Sequence, residues 1–270
     1  MKSMGLFDDF STVQKVNAYL EQFFASENSI TEAEWYESLP TDNERMEMIK
    51  LLKSLYKSSD NDDFCHPSVM DDYSNLTKSC TITLFKDTYC IVHERNTSRR
   101  YWGYVVIARN NGTKRNLHHS ASHFQSDGDV CNESAAIFER TNSKTLVING
   151  ANRYAVKSGA KNQCQNKTFL ADAAHNTETM YQTFNQAIYQ LKKHFNTISF
   201  GAEIPHAESH CNLSGTTNVF GRYVNGVPEA NVCYQSANKT QEPAMFVHIE
   251  QKRRVRDDWN LWTQIITEIF

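Results

Sequence analysis

Apolar residues at helical spacing fill the first sixty positions of this chain, and short apolar runs replace them from Cys80 onward. Val13, Val16, Leu20, Phe23 and Phe24 recur at three- and four-residue intervals, as do Met48, Leu52 and Leu55. That is the periodicity of helices with one buried face. Three candidate capping boxes mark helix starts: Ser11 with Gln14, Thr31 with Glu34 and Thr41 with Glu44. In each, the hydroxyl accepts from the third residue's N–H while that residue's side chain reaches back. Ser58–Asp63 breaks the pattern and is expected to be a linker. Residues 1–62 therefore read as a helical segment or cap, and residues 63–270 as an α/β domain.

Strand-length runs rich in β-branched residues follow at Thr81–Phe85, Tyr89–Val92, Tyr101–Ala108, Thr145–Ile148, Thr197–Phe200 and Met245–Ile249. Helical patterns fall between and after them, over Asn132–Arg140, Thr177–Phe195 and Asp257–Phe270. Alternation of this kind predicts an α/β fold with a mixed, largely parallel sheet flanked by helices. Asn212–Glu242, rich in Gly, Asn, Ser and Thr, reads as long loops or a hairpin excursion.

Charge adds exclusions. A net charge of −3 and a pI of about 6.4 give no basic field for nucleic acid. The basic run Lys252–Arg256 is answered at once by Asp257 and Asp258, and reads as a solvated strand-to-helix junction. No stretch approaches the roughly 20 apolar residues of a membrane span. Sequons begin at Asn75, Asn96, Asn111, Asn132, Asn166, Asn212 and Asn238, and seven cysteines begin only at Cys65. Both features suit disulfides and N-glycans in an oxidising compartment. The expectation is a secreted, vacuolar or lysosomal glycoprotein whose signal peptide is absent from the given chain. Cys164 and Cys211 flank two polar clusters, and a disulfide between them is expected.

Four such clusters follow strand-like segments: His118 to Gly128, Asn149 to Tyr154, Ala171 to Asn176, and Glu203 to Cys211. A parallel sheet would bring several of them to one edge. Two histidines and an acid from separate strand ends suit a zinc site with an open position. His123, Asp127 and His206 are the expected ligands, with His175 in reserve. Asp172 and His175 are counted with the catalytic residues, and Arg153 is the expected anion clamp. Glu250 closes an apolar strand, where a carboxylate can take and return a proton from an activated water. His123→Ala is expected to remove metal and activity together, whereas His119, on the same loop, is expected to tolerate Ala with at most a modest loss.

The stretch from His123 to Phe138, then TLVINGANRYA and LADAAHNTETMYQ, resembles a sparsely characterised family of secreted proteins. Its members carry a Pro-His-Pro-x-x-Asp-like motif, then Gly-x-His-Arg, then Ser-Asp-x-Ala-His-Asn. More distantly, the motif order is similar to zinc carboxypeptidase-like hydrolases, including the N-formylglutamate amidohydrolase branch, and implies their phosphorylase/hydrolase-like sheet. That resemblance implies zinc on His123, Asp127 and His206, proton transfer by Glu250 and anion binding by Arg153. The chain departs from the pattern at Asn152, where the family has His, and at Asp127, four residues after His123 instead of a Glu three after. The reading is a metal-dependent hydrolase of an amide, peptide or related acyl bond, acting on a small-molecule or peptide substrate with an anionic group. Its rivals are a non-enzymatic secreted glycoprotein on the same scaffold and a metal-dependent phosphoesterase.

Overall fold

The computed structural model describes residues 5–165, 168–191, 196–202, 217–237, 246–251 and 256–270. Three helices open the chain: α1 (Val13–Leu20), α2 (Glu32–Ser38) and α3 (Asp42–Lys57). The capping boxes at Thr31 and Thr41 form as written in the sequence. The one at Ser11 does not. Thr12 caps α1 instead, its hydroxyl accepting from Lys15 N–H at 3.1 Å.

Seven strands among the described residues make one mixed sheet: β1 (Cys80–Phe85), β2 (Tyr89–Glu94), β3 (Tyr104–Ala108), β4 (Arg115–Ala121), β5 (Ser143–Ile148), β6 (Asn196–Ala202) and β7 (Phe246–Gln251). Their order is β1-β2-β3-β5-β4-β6-β7. The pairings from β1 to β5 are antiparallel, and those joining β5, β4, β6 and β7 are parallel. The fold is α/β as expected, with parallel character confined to one half. Helices α4 (Val130–Arg140), α5 (Met180–Leu191), α6 (Val219–Val224) and α7 (Trp259–Ile269) complete the molecule. The chain leaves β4 through α4 to β5 on one side, and later reaches β6 on the other. The carboxyl end of β4 is thus a topological switch point, where sheets of this kind leave a crevice.

Strand alternation divides the core. Tyr104, Val106, Leu146 and Ile148 face Val13, Val16 and Leu20 of α1 and Val130 and Phe138 of α4. Val105, Ile107 and Val147 face Leu51, Leu52 and Leu55 of α3 and Phe184 and Ile188 of α5. The N-terminal helices therefore cover both faces of the sheet.

Strand β4 lies where sequence reading placed a polar loop. His118 and Ser120 point to the α5 face, where His118 bonds Thr145 Oγ1 at 2.9 Å and Asn185 Oδ1 at 2.8 Å. His119 points the other way, to Ser143 Oγ at 2.9 Å. Burial pushes the pKa of His118 down to about 4 and that of His119 down to about 3. His119 is fully buried, so its replacement by Ala opens a cavity.

The disulfide expectation is corrected as well. Cys164 is bonded to Cys233, not to Cys211, with Cα atoms 4.7 Å apart. Arg222 of α6 holds the Val232 and Cys233 carbonyls at 2.8 and 3.1 Å, which brings Cys233 to its partner. A second bridge joins Cys65 to Cys90 of β2, while Cys80 and Cys131 are buried free thiols. Cys211 lies outside the described residues. No helix among the described residues is long and apolar enough to cross a membrane.

Candidate functional site

Two strand ends and one turn build the site. His123 follows β4 by two residues, and Asn149 to Arg153 follow β5 directly. Asn149 stitches these exits together, its amide donating to Ser122 O at 2.9 Å and Ala151 O at 2.8 Å. Gly150 allows the β5 exit to press against the segment before β3. A Cβ there would stand 2.3 Å from Gly103 N and 2.7 Å from Tyr101 O. The turn comes from Asp172 to His175, closed by His175 N–H donating to Asp172 O at 3.0 Å.

His123 is the hub. Its Nε2 lies 3.0 Å from Asp172 Oδ1, and its Nδ1 lies 2.7 Å from Asp127 Oδ2. The same Asp172 oxygen stands 3.0 Å from His175 Nδ1. His175 Nε2 is held in turn by Thr217 Oγ1 at 3.0 Å. Arg153 Nη2 donates to both Asp127 oxygens, at 2.9 and 3.2 Å, and lies against His123 Nδ1. Arg256 Nη1 donates to the main-chain oxygen of Asp127 at 2.6 Å. Asp127, Asp172 and His123 are all buried.

The electrostatics follow from this crowding. Burial alone would raise the Asp172 carboxyl, yet His123 and His175 hold it well below the usual carboxylate range. Burial and Arg153 both push the His123 imidazole down, but Asp127 and Asp172 outweigh them and its pKa rises. His248 of β7 feels the charges of His123, Asp127, His175 and Arg153, although burial is what chiefly lowers it, to about 4.

Ligand-type atoms of His123, Asp172 and His175 all lie within 4.8 Å of one another. Two imidazole nitrogens and a carboxylate oxygen suit zinc and similar divalent ions. The remaining nitrogen of each ring already has a partner, Asp127 for His123 and Thr217 for His175. Metal-ligating histidines are oriented in this way. The residues present fit a metal ion.

Of the residues singled out in the sequence, His123, Asp127, Arg153, Asp172 and His175 converge here. Asp172 and His175 offer ligand-type atoms beside His123 Nε2, whereas Asp127 stands behind the ring at Nδ1. Glu250 pairs with Gly201 in the β6–β7 ladder. His206, Asn166, Asn212 and Asn238 lie outside the described residues. Thr217, Arg256 and His248 were missed, and no local motif marks them. Among the sequons, Asn75, Asn96 and Asn111 are exposed. Asn132 is half-buried on α4, its amide bonded to Asp129 and its oxygen to Asn17 of α1. No family model, no curated protein and no solved structure matches the chain.

Proposed function

We propose that the protein is a metal-dependent hydrolase of an amide, peptide or related acyl bond. The observation that carries this is the convergence of His123 Nε2, Asp172 Oδ1 and His175 Nδ1 at the switch point of the sheet. Three protein ligands leave the open position that catalysis needs. Zinc bound there would supply Lewis acidity toward a scissile carbonyl. Asp127 orients His123 and balances the Arg153 charge, and Asp172 stays ionised because both imidazoles face it. Arg153, 13% exposed at its side chain, is the candidate contact for an anionic substrate group. Glu250 remains the candidate proton carrier, at the carboxyl end of β7. Two disulfides support an extracellular or lumenal compartment, with Asn75, Asn96 and Asn111 as candidate glycan acceptors.

The test begins with metal content. Protein purified from zinc-supplemented culture should carry about one zinc per chain, and His123→Ala should carry none while still folding. Hydrolysis of N-acylated amino acids should disappear with the metal. Full zinc content and unchanged hydrolysis in His123→Ala would sink the proposal.

A second reading, a non-enzymatic binding protein, draws on one observation. Asp127, Arg153 and Asp172 engage both ring nitrogens of His123, so the cluster also fits a hydrogen-bonded binding surface. Wild-type protein that takes up no zinc from a micromolar supply would favour it.

A further inference from the structure

His175 can turn either ring nitrogen toward Asp172, and the partner of the other nitrogen decides which. Its Nε2 faces Thr217 Oγ1 at 3.0 Å, leaving Nδ1 toward Asp172 at the same distance. Thr217 is 42 residues away in sequence and belongs to the segment leading into α6. Three further links fasten that segment beside the turn. Gln165 Nε2 donates to Thr217 O at 2.7 Å, Val219 N–H donates to Ala174 O at 2.9 Å, and the Cys164–Cys233 disulfide closes the far side.

We infer that Thr217 is a positioning residue for the metal site, and that the Cys164–Cys233 bridge keeps it within reach of His175. This rests on the metal-site reading above. A neutral imidazole carries one N–H. A hydroxyl accepting at Nε2 puts that proton on Nε2 and leaves the Nδ1 lone pair facing Asp172 and His123. Without the acceptor, the ring is free to take the other tautomer or to rotate, and one ligand of three is misdirected. The disulfide matters because Thr217 and His175 belong to separate stretches of chain. Cys164 precedes the Asp172–His175 turn and Cys233 follows α6, so the bridge encloses both.

The experiment compares zinc affinity by competition with a chromophoric chelator, and coordination by the visible spectrum of the cobalt-substituted protein. Thr217→Val preserves shape and removes the acceptor. It should weaken zinc binding by about 10- to 100-fold and alter the cobalt spectrum, the usual scale for an outer hydrogen bond to a ligand. Thr217→Ser should restore both. A Cys164→Ser/Cys233→Ser double variant should weaken binding in the same direction. Should Thr217→Val fail to fold, Thr217→Ala carries the same expectation. Wild-type affinity and spectrum in Thr217→Val would overturn the inference, as would equal loss in the Val and Ser variants, which marks packing alone. Unchanged affinity in the double cysteine variant would remove the disulfide's part. Wild-type protein that binds no zinc would overturn the metal reading itself, and this inference with it.

Discussion

Which nitrogen of His123 faces Asp172 is decided by Asp127, whose carboxylate takes the other nitrogen at 2.7 Å. A carboxylate behind a ligating imidazole raises its basicity and fixes its tautomer, without itself binding the ion. Asp127→Asn should therefore weaken zinc binding by about 10- to 100-fold and leave it measurable. Asp172→Ala, which removes a proposed ligand, should abolish it. A competition titration separates the two, and the reverse order would return Asp127 to the ligand set that the sequence suggested. Arg153 was legible as a chemistry-bearing residue because it closely follows the strand-like run Thr145–Ile148, and His123 because it lies in a cluster of histidines and an acid just before a helical pattern. Asp172 was counted with the catalytic residues, but its place beside His123 was not legible, because only folding brings His123, 49 residues away, to its oxygen. Arg256 is more distant still, reaching the Asp127 carbonyl across 129 residues from a run that read as surface charge.

Strand β4 shows why one element escaped the pattern while its neighbours did not. Strands buried on both faces are usually near-continuous apolar runs, and β3 and β5 could be found by that signal. In β4 the buried positions include His118, His119 and Ser120, so the hydrophobic pattern is missing although Leu117 to Ala121 are all buried. Hydrogen bonds substitute for it. Thr145, Ser143, Asn185 and Tyr181 bond those side chains from β5 and α5. His118→Leu should keep the volume and strip a buried partner from both Thr145 Oγ1 and Asn185 Oδ1. The expected cost is about 2 kcal/mol, the scale for a buried polar group left without its bond. Urea unfolding measures it, and an unchanged midpoint would mean that this network contributes nothing net. Helices α2 and α3 were legible for the opposite reason, since a capping box is a local code that needs no partner from elsewhere.

At the scale of the whole molecule, the buried titratable groups set how stability changes with pH. Burial pushes His93, His118 and His248 down to about 4 and His119 to about 3, from a usual value of 6.5. A histidine with a depressed folded pKa contributes stability that is complete above 6.5 and is lost as pH falls toward the folded value. Burial also raises Glu21 and Glu133 to about 7 from 4.5. Their contribution has the opposite sense, being complete below 4.5 and lost as pH rises through 7. Between pH 4.5 and 6.5 the two sets oppose one another, four lowered histidines against Glu21, Glu133 and Glu94, which burial also raises. Acidification through this window should therefore destabilise the fold, because the unfolded chain gains more protons than the folded one. A urea midpoint clearly lower at pH 5 than at pH 6.5 is the expected outcome. Equal midpoints, or a higher one at pH 5, would mean that the histidines of β2, β4 and β7 are not held neutral by the fold. A metal on His123 and His175 would steepen the dependence, since protons compete for the same nitrogens. Repeating the titration with a chelator present isolates the part that belongs to the protein alone.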